Sequence, residues 1–150
     1  MKAWDLMVND CVYYLGDGEP KVSFVNGITE LQQLYLWSDK YDASSWVLVG
    51  EKYVAPIPLT PEILENNKFE RIPQERCANP YYWRLENYED GDYLYSITAY
   101  QTLFRGLFFE IKYNGDCEPI VFTKQIEFLH ELQHALRLVD LSKVADTFKV

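Results

Sequence analysis

The first third of the chain alternates short apolar runs with turn signals, a pattern typical of a small antiparallel sheet. Apolar and aromatic residues dominate 11–15, 21–25, 34–37 and 45–49. The Gly-Asp-Gly sequence at 16–18 and the Asn-Gly sequence at 26–27 tolerate the positive φ that tight turns require, and each is expected to end a strand. Short strands at this spacing predict a curled, SH3-like sheet or barrel over residues 1–55.

A connector and a short capped helix follow this lobe. The prolines within residues 56–59 favour extended backbone, because each ring fixes its own φ and restricts the preceding residue. Thr60 is the expected N-cap and Pro61 the first helical residue. Asn66 and Asn67 are expected to end the helix, since Asn tolerates the left-handed conformation.

The second half returns to strands and then predicts one long amphipathic helix. Alternating segments at 82–86, 93–100 and 107–113 predict an antiparallel sheet. On a helix from Thr123 to Val139, one broad arc collects the apolar residues Phe128, Leu129, Leu132, Ala135, Leu136 and Val139. We expect Thr123 to cap this helix and its apolar face to cover the second sheet, which gives an α+β lobe over residues 56–150. The lobes 1–55 and 56–150 are also compatible with one compact unit.

The net charge and the cysteine content restrict the expected binding partners and the expected cellular compartment. The 150 residues carry a formal net charge of −9, whereas a phosphate-binding surface needs clustered Lys and Arg, so direct nucleic-acid binding is not expected. Three cysteines, at 11, 77 and 117, match no disulfide framework, which indicates free thiols in a reducing compartment. No apolar run reaches the roughly 18 residues of a membrane span, and polar residues interrupt the N-terminus. A cytoplasmic protein with no membrane contact is expected, and its oligomeric state is left open.

Aromatic residues are unusually numerous, with 12 Tyr, 8 Phe and 4 Trp. Aromatic side chains are enriched at protein-binding surfaces, and they are also favoured strand residues. Both interpretations apply here. Together with the negative charge, the aromatic content favours a protein partner over a nucleic acid.

Residues 130–134 spell His-Glu-Leu-Gln-His, the H-E-x-x-H pattern of a zinc site. In such a site His130 and His134 hold the metal and Glu131 activates its water. A catalytic zinc also needs a third protein ligand, yet the chain has only these two histidines and no Glu after His134. An upstream carboxylate, such as Glu110 or Glu118, would have to converge on the pair. We therefore interpret the histidines as solvated residues on the polar helix face, and assign no catalytic residue, metal or cofactor.

Three passages resemble one family. Residues 56–69, PIPLTPEILENNKF, resemble a PIPLTEEILxKxGF signature, and residues 130–138, HELQHALRL, together with FEIK at 109–112, resemble a closing segment YVHxLQHALRL. Val12-Tyr13 and Ile28 are similar to its opening strands. The family consists of small uncharacterised proteins encoded by phages and mobile elements of gut bacteria.

The resemblance implies a genetic context rather than an activity, and it spans nearly the whole chain. In the family pattern Gln often occupies the position of Glu131, and an amide cannot act as a general base. Asn67-Lys68 also departs from the glycine that ends the family's helix.

These observations predict a non-enzymatic accessory protein of a phage or mobile element. It would act in the cytosol of the bacterial host by binding a host or phage macromolecule, and counter-defence is one version of this role. The alternative is a small zinc-dependent hydrolase that uses the sequence at 130–134. A third hypothesis is a small-molecule binder whose pocket draws on arginines, for which the candidates are Arg71, Arg76, Arg84, Arg105 and Arg137.

Overall fold

The structure, a computed structural model, describes residues 1–16, 18–38, 45–73, 81–89, 92–101, 107–113, 118–122 and 124–150. For Trp4, Tyr81, Tyr88, Glu89, Asp92 and Tyr93 it describes the backbone only. Two compact units are present: residues 1–58 with 128–148 and 150, and residues 59–127 with 149. Each contains a five-stranded antiparallel sheet. Three short α-helices complete the described part of the chain, which confirms the α+β class.

The sheet of the first unit has the strand order β4-β3-β2-β1-β5. Its strands are β1 (Cys11–Tyr14), β2 (Lys21–Ile28), β3 (Leu34–Trp37), β4 (Trp46–Val49) and β5 (Val54–Pro56). One face carries the apolar core of the unit, made of Ala3, Leu6, Val12, Val25, Leu34, Leu36, Val49 and Val54. The four apolar runs predicted from the sequence therefore all contain strands, whereas β5 lies partly in the segment predicted as a connector.

The predicted turn at Asn26-Gly27 is wrong, because β2 continues through both residues to Ile28. The pairing of β2 with β3 shifts register between Val25 and Gly27, which marks a β-bulge. The turn comes later, where the amide of Gln32 donates to the Thr29 carbonyl over 2.9 Å and Gln32 takes a φ of 60°. The Asn-Gly sequence thus lies at a β-bulge within β2. The turn predicted at 16–18 includes Asp17, which lies outside the described residues.

The second unit contains α1 and the sheet of order β10-β9-β8-β7-β6. Its elements are α1 (Pro61–Asn66), β6 (Glu70–Pro73), β7 (Tyr81–Glu89), β8 (Asp92–Gln101), β9 (Leu107–Tyr113) and β10 (Ile120–Val121). Cross-strand neighbours on one face are fully or almost fully buried, namely Trp83, Ile97, Ala99, Phe109 and Ile111. Predicted strands at 82–86, 93–100 and 107–113 are thereby confirmed.

Helix α1 begins as predicted but ends differently. The Thr60 hydroxyl accepts a hydrogen bond from the Ile63 amide over 3.4 Å, and Pro61 is the first helical residue. At the other end the left-handed residue is Lys68, with a φ of 68°, whereas Asn67 has a φ of −102°. The Asn67 side chain instead donates to the carbonyl of Ile63 over 2.7 Å. A side-chain cap therefore replaces the expected left-handed asparagine.

Helix α2 (Leu129–Leu138) has ten residues and is shorter than predicted, because its N-cap is Phe128, five residues after the predicted cap Thr123. Ile126 and Leu107 exchange backbone hydrogen bonds of 2.9 Å in both directions, and Phe128 forms an isolated bridge with Pro58. These long-range pairings keep the backbone extended up to the first helical residue. Thr123, the predicted cap, lies outside the described residues.

Helix α2 belongs to the first unit, which differs from the expectation that it would cover the second sheet. Four residues of the predicted apolar arc lie in this helix and are buried, namely Leu129, Leu132, Ala135 and Leu136, whereas Phe128 and Val139 are its N-cap and C-cap. The buried set also includes His130 and Gln133. Helix α3 (Ser142–Ala145) follows within the same unit. Among the described residues, no helix has both the length and the apolar character needed to cross a bilayer.

Candidate functional site

A buried carboxylate, Asp10, organises a polar cluster next to β1. Its side chain is fully buried and accepts three hydrogen bonds, all shorter than 2.8 Å. The donors are the amide of Met7, Nε2 of His134 and Nη1 of Arg137, at 2.7, 2.7 and 2.6 Å. The loop before β1 therefore meets the polar side of α2 through one side chain.

Arg137 links this carboxylate to a second one. Its Nη2 donates to Oδ1 of Asp146 over 2.9 Å, while Nη1 donates to Asp10. Burial alone would lower the pKa of the guanidinium, but the hydrogen bonds and charges of the two carboxylates outweigh it and raise this pKa. Arg137 therefore stays protonated and offsets the cost of burying the Asp10 charge.

One ring nitrogen of His134 is bonded to Asp10. Its Nε2 lies 2.7 Å from Oδ2 of Asp10. Because a carboxylate accepts hydrogen bonds, the hydrogen-bond network assigns a proton to Nε2. A protonated nitrogen has no lone pair for a metal ion, so metal binding through Nε2 requires that this contact be broken.

The expectation that both histidines are solvated is wrong for His130, which is only 7% exposed. Its ring stacks on Phe128 with centroids 5.9 Å apart and meets the His134 ring edge-on at 5.8 Å. Nδ1 of His130 is buried and has no hydrogen-bond partner among the described residues. Burial is the main cause that lowers the pKa of His130, so the neutral imidazole is favoured.

Glu131, the general base of the zinc hypothesis, caps its own helix. Its Oε2 accepts a hydrogen bond from the Phe128 amide over 3.3 Å, the return half of a capping box. The two histidine rings of the motif thus contact each other, while the Glu131 carboxylate is bonded to the backbone at the start of the helix. In the part of the chain that the structure describes, no three His, Cys, Asp or Glu side chains come together as a metal site.

Gln133, the remaining polar residue of the motif, is fully buried and joins separate parts of the first unit. Its Oε1 accepts from the Cys11 amide over 3.0 Å, while Nε2 donates to the carbonyls of Ala145 at 2.9 Å and Asn9 at 3.2 Å. Sequence reasoning passed over both Gln133 and Asp10. A long polar residue among Leu132, Ala135 and Leu136 was the available signal for Gln133, whereas nothing local distinguishes Asp10.

The three candidate arginines that the structure describes do not all lie in one unit. Arg137 lies in the first unit, and Arg71 and Arg84 lie in the second. Arg76 and Arg105 lie outside the described residues. Arg84 borders an open cavity of about 280 Å³ whose lining includes Lys68, Glu70, Ile72 and Glu86. Because Glu70 and Glu86 balance the two cations, this cavity lacks the positive charge expected of a phosphate pocket.

A row of aromatic residues lies on the face of the first sheet opposite its core. We call Phe24, Tyr35, Trp37, Trp46 and Leu48 the aromatic face. Trp37 is opposite both Phe24 on β2 and Trp46 on β4, and Tyr35 is opposite Leu48, so all five point to one side. Trp46 is 54% exposed and Leu48 is 39% exposed, and the other three are half-buried. The Tyr35 and Trp46 rings meet edge-on at 5.6 Å.

The residues of the aromatic face also contact the strand beside them. The Tyr35 ring lies opposite Gly27, where a Cβ atom would come within 3.7 Å of its Cδ2. Cross-strand aromatic pairs of this kind pack their side chains against one another. The aromatic face is therefore a largely apolar surface that contains no Lys or Arg among its five residues.

Comparison of the chain with protein-family models, with curated proteins and with solved structures finds no match.

Proposed function

We propose that this chain is a non-enzymatic accessory protein of a phage or mobile element that binds a protein in the cytosol of the bacterial host. The observation that carries this proposal is the aromatic face, where Trp46 and Leu48 are exposed on a sheet whose opposite side is the core. Exposed Trp and Tyr side chains held by neighbours are the usual anchors of protein interfaces. We further propose that the first sheet is SH3-like, a fold that presents a curved aromatic surface.

The chemistry of the face favours a protein over a nucleic acid. Bases stack on aromatic side chains, but the phosphates that accompany them require nearby cations. The five residues of the aromatic face include none, and the chain carries a net charge of −9. Binding of a host defence protein, which would make the role counter-defence, is one form of this function.

The arrangement at 130–134 supports a non-enzymatic role. Asp10 holds His134, the Phe128 amide holds the Glu131 carboxylate, and Gln133 holds backbone groups. A general base has to reach a water molecule or a substrate. These side chains instead form hydrogen bonds within the protein. We propose that the motif is structural.

The test compares three forms of the purified chain as bait in lysate of a bacterial host. Trp46→Ala removes the most exposed aromatic anchor, and Tyr53→Ala removes another exposed aromatic of the same unit that is outside the aromatic face. We expect one protein to be retained in stoichiometric amount by the wild type and by Tyr53→Ala. With that protein purified, Trp46→Ala should raise its Kd at least tenfold, as loss of an interface anchor does. Equal Kd values for all three forms would refute the proposal.

The alternative, a small zinc-dependent hydrolase, takes its support from the buried Nδ1 of His130, which lacks a partner among the described residues, and from the neighbouring His134 ring. Metal analysis of untagged protein tests it. One zinc per chain that is lost in His134→Ala, together with turnover of a peptide, would establish the hydrolase and overturn the binding role. Metal-free protein without turnover is the result expected here.

A further inference from the structure

We infer that the open edge of β4 pairs with an extended, positively charged segment of the partner protein, which adds a sixth strand to the first sheet. This inference rests on the proposed function, because it names how the aromatic face and its strand engage the partner. Addition of a strand to a sheet edge combines backbone hydrogen bonds with side-chain contacts at alternate positions.

One backbone hydrogen bond shows which residues of β3 direct their N–H and C=O groups toward β2 and which direct them toward β4. The Thr29 amide donates to the Gln33 carbonyl over 2.9 Å, and these residues are opposite each other one step beyond the Ile28–Leu34 pair. In an antiparallel ladder, opposed residues are hydrogen-bonded at every second position. Tyr35, two positions along from Gln33, therefore directs its backbone groups toward β2.

A second bond gives the same phase from the other side of the bulge. The Val25 amide donates to the Asp10 carbonyl over 2.9 Å, so Val25 bonds toward β1 and Phe24 bonds toward β3. Trp37, opposite Phe24, then faces β2, in agreement with Tyr35. The residues between them on β3 must bond toward β4.

Leu36 and Leu34 therefore bond the residues opposite them on β4, which are Val47 and Val49. Trp46 and Leu48 direct their N–H and C=O groups away from β3. Among the strands that the structure describes, β4 is at the end of the order in this sheet, so these groups point toward its open edge. The two residues whose backbone groups face outward are also the two exposed side chains of the aromatic face. A strand that pairs here would contact both at once.

The net charge of the chain indicates which kind of segment pairs with β4. The whole chain carries −9, so a partner segment with Lys or Arg is attracted to it, whereas a second copy of the chain is repelled. Apolar side chains at every second position of the segment would lie against Trp46 and Leu48. The segment is thus an extended peptide with alternating apolar and basic residues.

The experiment uses a phage-displayed library of random nine-residue peptides selected on the full chain, followed by titration with the synthesised peptides. Leu48→Pro removes the outward N–H and the side chain, and proline is tolerated on an edge strand at such a position. Leu48→Ala is the matched control that removes only the side chain. We expect alternating apolar and basic peptides, a Kd raised a few-fold by Leu48→Ala, and a Kd raised at least thirtyfold by Leu48→Pro at an unchanged melting temperature.

If Leu48→Pro unfolds the chain, the pair Trp46→Pro and Trp46→Ala repeats the comparison, because the Trp46 amide also faces the edge. Amide exchange measured by NMR gives an independent readout: the bound peptide should slow exchange at Trp46 and Leu48 and leave Val47 and Val49 unchanged.

Strand addition is overturned if the proline and alanine variants bind equally, if the selected peptides lack basic residues, or if no peptide is selected. It is also overturned if light scattering shows a dimer that Leu48→Pro dissociates, since the occupant would then be a second copy. If Trp46→Ala raises the Kd of the captured protein while Leu48→Pro and Leu48→Ala give equal Kd values, the proposed function stands and the strand pairing fails. If neither Trp46→Ala nor Leu48→Pro changes the Kd of that protein, both the proposed function and the strand pairing fail.

Discussion

At the scale of single residues, Asp10 determines whether the polar cluster of the first unit is stable. Asp10→Asn replaces a fully buried carboxylate with an amide and leaves Arg137 without its shortest ion pair. Loss of one partner from a buried pair commonly costs several kcal/mol, so we expect the free energy of unfolding to fall by about 3 kcal/mol in urea titrations.

Asp146→Asn is the matched control, since Asp146 also pairs with Arg137 but its side chain is 36% exposed. Its loss should cost less than about 1 kcal/mol. Equal effects of the two substitutions would show that the burial of Asp10 is not what makes its charge important.

His130 should make the first unit sensitive to mild acid. Burial lowers its pKa below the ordinary value of 6.5, so the unfolded chain binds a proton that the folded chain does not. The contribution to stability is complete above pH 6.5 and is lost as pH falls below it. Each unit of lowering corresponds to about 1.4 kcal/mol.

The variant His130→Phe retains the stacking on Phe128 and cannot be protonated. We expect the wild type to lose more stability than this variant between pH 7.5 and pH 5.0, as measured by urea unfolding at each pH. Parallel pH profiles for the two proteins would contradict the assignment.

Helix α2 illustrates at the scale of elements how one sequence can fit two roles. If Glu131 is a cap, Glu131→Gln should leave stability nearly unchanged, because an amide oxygen also accepts from the Phe128 amide. Glu131→Ala should lower the free energy of unfolding by about 1 kcal/mol, the usual effect of losing a cap. Thermal unfolding of both variants separates them. A large loss of stability in Glu131→Gln would mean that the negative charge itself is required.

The end of α1 stores a small amount of backbone strain. Lys68 has a φ of 68°, and its amide and that of Phe69 donate to Glu65 and Leu64 over 3.1 Å, which closes the helix end. A non-glycine residue in this conformation costs about 1 to 2 kcal/mol, part of which the entropy of a glycine offsets. Lys68→Gly should therefore raise the free energy of unfolding by about 0.5 to 1 kcal/mol.

Lys68→Ala is the control, since alanine removes the same side chain and keeps the Cβ atom that causes the strain. It should give no gain in stability. A gain equal to that of glycine would attribute the effect to the lysine side chain.

What the sequence predicted well at this scale is local. The Thr60 cap and the alternating strands depend on neighbours within a few residues, and the structure contains them. What it missed depends on distant partners. Ile126 falls within the helix predicted from Thr123 to Val139 but pairs with Leu107 instead, and no local pattern contains that information. The same holds for Asp10, whose partners on α2 are more than 120 residues away.

At the scale of the whole molecule, the first unit is assembled from two separated stretches of sequence. Cys11 is fully buried, and its amide is bonded by Gln133. A chain ending at Glu127 lacks α2 and α3, so we expect Cys11 to react rapidly with a thiol reagent, whereas it should be protected at least tenfold in the intact chain.

Mass spectrometry of the peptide that contains Cys11 measures this without interference from Cys77 and Cys117. The intact chain in 6 M urea provides the rate for a fully accessible thiol. Protection of Cys11 in the shortened chain would mean that residues 1–58 fold without the later segment.

This division also sets an order of events on the ribosome. Residues 59–127 are synthesised between the two parts of the first unit, and at about 5 to 20 residues per second this takes roughly 3 to 14 seconds. During that interval Asp10 lacks its partners His134 and Arg137, and the Cys11 amide lacks its acceptor, the side chain of Gln133. The second unit can therefore finish folding before the first, although it is encoded later, and the first sheet lacks its distant helix until residues 128–148 emerge.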